Sequence, residues 1–235
     1  MISINNFCRM DCPPYKLSGT VVGTLLNHAP VLLAMGDAAR ELPYKAPPQR
    51  PVLYVKPRNT FLQHGAVVEM PSGESHLEIG FSIGMVIGQS ACHVSKDQAM
   101  EHIAGYLAVA DICIPHASVY RPSVRQRAQD GFCPLGPVVS PRDEVADPDQ
   151  LAYSISANGQ VVHQGITGDW VRPAAQLLAD VSEFMTLSVG DVLLLGTTAG
   201  APRLSAGTQV QVQLGTLAPL TFTMGPHRPE QEGRS

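Results

Sequence analysis

The stretch IGFSIGM (residues 79–85) decides the fold. Its apolar residues, Ile79, Phe81, Ile83 and Met85, fall on every second position. A period of two predicts a half-buried β-strand, because successive side chains of a strand point to opposite faces. Runs of similar character lie on both sides. Residues 21–26, 52–55, 151–155, 192–195 and 210–214 read as further strands, each too short for a buried helix. Between 52–55 and the residues before it, LPYKAPPQRP (42–51) reads as a loop, because proline removes backbone donors and fixes φ. Gly 21 and Pro 20 together exceed average usage and favour many turns over a helical bundle.

Three helices are expected around these strands. One covers 31–40. A second starts at Ser95, which has capping-box spacing to Gln98, and runs to Ala104, where Gly105 stops it. A third begins in the turn after Pro173, with Leu177, Leu178, Val181, Phe184 and Met185 as one apolar stripe. The fold class is therefore α+β, mostly β. Residues 1–50 form a loosely matched N-terminal segment packing on the main domain, 51–225 form that domain, and 226–235 form a polar tail.

Composition narrows the function classes. The 235 residues carry 16 Lys plus Arg against 20 Asp plus Glu, a net charge of −4, with 44% hydrophobic residues. That is apolar enough for a sizeable core. The absence of a basic block argues against nucleic acid, and no apolar run approaches a membrane span. The N-terminus lacks a basic segment followed by an apolar one, so a cytoplasmic location is expected. Cys8, Cys12, Cys92, Cys113 and Cys133 contain no CxxC pair, so idle thiols are favoured over zinc or disulfides.

General catalytic motifs are missing: there is no GxSxG, HExxH or phosphate loop. Single histidines such as His64 and His163 read as ordinary polar side chains, and Glu74 and Glu78, near a strand and after a glycine, as carboxylates of a solvated turn. The conspicuous groups are cationic. Lys56 and Arg58 follow a strand, and Arg121, Arg125 and Arg127 fall within seven residues. Guanidinium groups bind carboxylates by paired hydrogen bonds. GTTAG (196–200) follows a hydrophobic strand and offers backbone N–H groups and hydroxyls. From spacing alone an ordinary charged surface is favoured for the cations, and GTTAG can be a plain strand-ending turn; a small dianionic substrate is as far as these residues lead.

Five segments in a fixed order carry more information. IAGYLAVAD (103–111), YRPSVRQRAQDGFCPLGP (120–137), NGQVVHQGITGD (158–169), VSEFMTLSVGDVLLLGTTAG (181–200) and SAGTQVQVQL (205–214) resemble the fumarylacetoacetate hydrolase family. YKAPPQRPVLYVKPRNT (44–60) adds a similarity to one branch of it. This is the N-terminal half of the tandem decarboxylase/isomerases of 4-hydroxyphenylacetate (homoprotocatechuate) degradation, and the length of the chain suits one half. The resemblance implies a mixed β-sandwich roll with peripheral helices. It also implies the role of a subunit that helps convert 5-oxopent-3-ene-1,2,5-tricarboxylate to 2-hydroxyhepta-2,4-diene-1,7-dioate and shift its double bond. The alternative it leaves is a catalytically degraded, metal-free scaffold or small-diacid-binding subunit beside a metal-bearing sister chain. Assembly as a homodimer or as such a heteromer is expected.

The family usually holds magnesium or manganese with two glutamates and an aspartate. Aligned on Ile83–Gly88, the glutamates fall at Gly80 and Ser82, while the aspartate is kept as Asp111. One carboxylate cannot supply the charge a divalent ion normally needs, so no metal is expected there. The family lysine falls at Arg127, its Arg-Asp pair at Pro115 and His116, and its general-base histidine near Val31, with His28 close but off register. The turn threonine is kept as Thr197, and its proline is Thr198. By resemblance, Asp111 and Arg127 are the catalytic candidates; Lys56, Arg121, Arg125 and Thr197 are the candidates for holding a small multi-carboxylate substrate.

Overall fold

The computed structural model describes residues 10–116 and 123–228. The longer strands of its two main sheets are β1 (Val21–Leu25), β2 (Val52–Lys56), β3 (Val67–Met70), β4 (Leu77–Ile87), β5 (Ile103–Cys113), β6 (Ala152–Ala157), β7 (Gln160–Ile166), β8 (Val192–Leu194), β9 (Gln209–Leu214) and β10 (Leu220–His227). In the first sheet β5, β4, β8, β1 and β2 lie side by side, with short pairings at Ser140–Pro141 and Arg203–Leu204. All of these neighbours are antiparallel except β8 and β1. The second sheet has the order β7, β6, β9, β10, β3, with only β10 and β3 parallel. The architecture is thus mostly β, as the residue pattern predicts, with the mixed sheets that the resemblance implies.

Strand β4 explains why the sheets meet. Ile79, Phe81, Ile83 and Met85 all enter the larger core, together with Ile155, Val212 and Phe222 of the second sheet. The expectation of a half-buried strand is corrected here: β4 is buried along nearly its whole length, on both faces. Its other face carries Gly80, Ser82, Gly84 and Val86, and Val86 joins a second core with Leu107, Val109, Val192 and Leu194. The alternation therefore separates large residues from small ones, not buried from exposed. Small residues on that face let the strands after Val192 and around Asp111 approach closely.

The helices are shorter than expected. α1 (Ala29–Ala34) ends in a 3-10 turn, Gly36–Ala39, because Gly36 adopts φ +53, which breaks the helical hydrogen bonding. α2 (Lys96–Ala99) passes into the 3-10 turn Met100–His102 and then directly into β5. Gly105 is no helix stop. It lies inside β5, where a Cβ would sit 2.1 Å from the Ser140 carbonyl oxygen. α3 is Val124–Arg127 and α4 is Ala174–Ser182. On α4 the stripe Leu177, Leu178 and Val181 is buried, but Phe184 lies beyond the last helical residue and is 65% exposed. Residues 42–51 form no regular element, and β10 continues to His227, into the stretch expected as tail. Val21–Leu25 is an inner strand of the first sheet. No helix among the described residues is long and apolar enough to cross a membrane.

Candidate functional site

Asp111 stands near the end of β5, opposite Gly80 on β4. Its side chain is 1% exposed and receives three groups. Lys56, the last residue of β2, places Nζ 2.8 Å from Oδ1 as an ion pair without an aligned hydrogen bond to that oxygen. Arg127, the last residue of α3, donates from Nη1 to Oδ2 at 2.7 Å. The Tyr54 hydroxyl donates to the same Oδ2. The Arg127 guanidinium also lies over the Tyr54 ring, 4.8 Å from its centroid, a cation–π contact. Two cations and one carboxylate leave the cluster with one net positive charge.

The electrostatics follow from this packing. Burial opposes ionisation of Asp111, but the Lys56 and Arg127 charges outweigh it and hold the carboxyl below its ordinary range. Burial, and then the Asp111 carboxylate, push the Tyr54 phenol well above its ordinary value, so Tyr54 is a neutral donor. Burial likewise pushes the neighbouring Cys113 thiol up to about 11, which leaves it un-ionised and a poor nucleophile at neutral pH.

A cleft of about 280 Å³ opens over the cluster. Asp111, Arg127, His116, Glu78, Thr197 and Thr198 supply its polar lining, and Leu25, Leu26 and Val31 part of its apolar wall. A groove of about 520 Å³ on the second sheet is larger, but no ionisable side chain lines it. Its chemistry is limited to amide and hydroxyl groups, so the smaller cleft is the candidate site.

The GTTAG turn forms one wall and is fixed from three sides. Asn27 donates to the Leu195 carbonyl at 2.7 Å, the Ser82 hydroxyl accepts the Gly196 N–H at 3.1 Å, and His28 Nδ1 accepts the Ala199 N–H at 3.3 Å. Ser82, where the resemblance places a glutamate, thus clamps the turn. His28 packs edge-on against Trp170 and does not line the cleft. His163 contacts Tyr153 at 3.2 Å and Thr198 at 3.5 Å, from behind the same turn.

The sequence candidates divide accordingly. Asp111, Arg127 and Thr197 come together in the cleft. Lys56, expected to hold substrate, is 0% exposed and is spent on the carbonyls of Ile112, Arg127 and Phe132 at 2.8–3.0 Å as well as on Asp111. Arg125 is on the exposed side of α3 and not among the cleft residues. Arg121 lies outside the described residues. Cys12, Cys92, Cys113 and Cys133 are free thiols. Tyr54 and His116 are the lining or bracing groups the sequence did not single out for this site. The signal for Tyr54 is Gly23, its partner across β1 and β2, where a Cβ would lie 2.0 Å from the tyrosine ring.

The resemblance places two metal-binding glutamates at Gly80 and Ser82 and the third ligand at Asp111. A Cβ on residue 80 would lie 2.8 Å from the Asp111 carbonyl oxygen and 3.0 Å from Thr197 Cγ2, so the space of a glutamate stem is already filled. Both Asp111 oxygens face cations. Among the described residues no three His, Cys, Asp or Glu side chains converge as a ligand group.

A buried ion-pair cluster thus lies under a small polar cleft on a roll of two mixed sheets. The chain belongs to the fumarylacetoacetate hydrolase family: residues 20–224 match the family's C-terminal domain. It is 37% identical over 204 residues to the 4-hydroxyphenylacetate degradation bifunctional isomerase/decarboxylase of Escherichia coli, covering 87% of this chain and 46% of that protein. The chain thus spans about half the length of the first curated relatives it matches. It is 30% identical over 213 residues to a mitochondrial oxaloacetate tautomerase of Arabidopsis thaliana, covering 88% of this chain and 92% of that one. Among solved structures it is similar to 5-carboxymethyl-2-hydroxymuconate delta-isomerase from Mycobacterium smegmatis, with TM-score 0.75, 25% identity, and 91% and 81% of the two chains covered. It shares its fold with fumarylpyruvate hydrolase from Pseudomonas aeruginosa, solved with Mn2+ and pyruvate, at TM-score 0.74, 21% identity, and 93% and 96% coverage.

Proposed function

We propose that the chain is a subunit of a decarboxylase/isomerase system of aromatic (4-hydroxyphenylacetate) catabolism, acting on 5-oxopent-3-ene-1,2,5-tricarboxylate and its diene product. The observation that carries this reading is the net positive cluster of Asp111, Lys56 and Arg127 beneath a polar cleft. A multiply charged carboxylate is the ligand such a floor attracts. In this reading Arg127 and the Thr197 turn hold substrate, Asp111 and Tyr54 fix the plane of the guanidinium, and Lys56 positions Asp111. Decarboxylation and double-bond migration both pass through an enolate, whose charge a neighbouring cation stabilises. A family member carrying both glutamates is the partner expected to supply the divalent metal that this chain's residues do not fit.

The test is release of carbon dioxide from the tricarboxylate by this chain, by a glutamate-bearing sister chain, and by the two mixed. The mixture is expected to exceed the sum of the separate rates, and Arg127→Ala in this chain to lower the mixed rate about 100-fold if the guanidinium stabilises the transition state. Strictly additive rates would remove the heteromer. A second reading, a scaffold without its own chemistry, is favoured by the engagement of both Asp111 oxygens by cations. A folded Arg127→Ala chain that supports the full mixed rate would select it.

A further inference from the structure

The loss of the metal-binding carboxylates and the geometry of Arg127 bear on one another. Arg127 is 8% exposed and lines the cleft. Its Nη1 is engaged by Asp111, its face rests on Tyr54, and its Nε is buried with no hydrogen-bond partner among the described residues. A buried guanidinium N–H without an acceptor is a costly arrangement, and a ligand oxygen would relieve it. Nearby in the same cleft, His116 Nδ1 lies 2.9 Å from the Ile114 carbonyl, while its Nε2 is buried without a partner among the described residues. Thr197 and Thr198 flank the same space. The site therefore presents a fixed planar cation with an unpaired, buried Nε–H, an unpaired ring nitrogen, two threonines and, on its rim, the Glu78 carboxylate.

We propose that the Arg127 guanidinium takes the charge role of the absent divalent ion, so that this cleft binds a planar 2-oxo carboxylate, or its enolate, without metal. The inference rests on the reading of the cleft as the substrate site. The ligand's carboxylate accepts from the guanidinium where Arg127 lines the cleft, and its 2-oxo oxygen lies toward His116 and the threonine turn. Asp111 serves as the guanidinium's counter-ion, a role that requires it to stay ionised and unavailable as a metal ligand. Lys56 then explains itself: without it, one carboxylate would neutralise one guanidinium, and the floor would lose its net charge.

Pyruvate, the smallest 2-oxo carboxylate, is the probe. Its methyl resonance is followed by NMR in a titration with the full chain in EDTA, and again with excess Mg2+. The expected result is saturable binding in EDTA, changed by less than about twofold on adding Mg2+. Arg127→Lys keeps a charge beside Asp111 but loses the planar fork, and is expected to weaken binding by about tenfold or more while melting near wild type. Binding that requires Mg2+, no binding in EDTA, or an Arg127→Lys chain that binds like wild type would each overturn the proposal. Binding seen only with Mg2+ would leave the enzymatic reading standing. Binding in EDTA without turnover in any mixture would sink that reading and keep this one.

Discussion

Replacing Asp111 by Asn is expected to lower the unfolding free energy by about 3–5 kcal/mol, the range for breaking a buried ion pair by removing one partner. The substitution is nearly isosteric, so packing does not explain a loss of this size. What it leaves is two buried cations, Lys56 and Arg127, with no carboxylate between them. Chemical denaturation at neutral pH measures the difference. The pH dependence supplies an independent check. The folded-state carboxyl is held below its ordinary value, so the wild-type contribution is complete above the unfolded value of about 4 and is lost as pH falls through the lower folded value. Wild-type stability should therefore fall below about pH 4, and the Asp111→Asn chain should lose less over that window. An acid limb of equal steepness in both would mean that Asp111 is not ionised in the fold.

The second large effect is expected at Lys56. Lys56→Met keeps the length of the stem and removes the ammonium that meets three carbonyls and Asp111. Those carbonyls belong to β5, to the end of α3 and to Phe132, so one charge ties three segments of chain together. A loss of about 3–5 kcal/mol is expected, because three buried acceptors and a carboxylate lose a donor at once. With one cation gone, the Asp111 carboxyl rises, and the acid limb moves to higher pH. The double variant Lys56→Met/Asp111→Asn should be destabilised by less than the sum of the two single losses, since each removes a partner of the other. Additive losses would show that the two side chains are energetically independent.

Much of the fold was readable because it rests on periodicity. The two-residue repeat of Ile79, Phe81, Ile83 and Met85 specifies the strand that joins the two sheets. What the repeat cannot reveal is whether the opposite face meets water or a second core, since Gly80, Ser82 and Gly84 are compatible with both. Ser95 and Gln98 do hydrogen-bond through their side chains, yet the helix they open is one turn long, because sheet pairing takes over at Ile103. Propensity there yields to tertiary contact.

The candidate site was readable in outline. The family pattern singles out Asp111 and Arg127, and the structure joins them in one ion pair. The grouping of Lys56 with the exposed arginines was not resolvable from spacing, because full burial of a lysine depends on three carbonyls contributed by distant segments. Tyr54 was invisible for the same reason: its partners lie 57 residues away at Asp111 and across the sheet at Gly23. Nor does the sequence disclose that the Ser82 hydroxyl accepts the Gly196 N–H.

In the proposed site, cations from the protein occupy the electrostatic place of a divalent ion. Electron paramagnetic resonance of Mn2+ added to the purified full chain tests it most directly, because bound manganese loses the sharp six-line signal of the aqueous ion. The expected result is an aqueous signal undiminished at one equivalent of Mn2+. One tightly held Mn2+ per chain, released on replacing Asp111 by Asn, would contradict it.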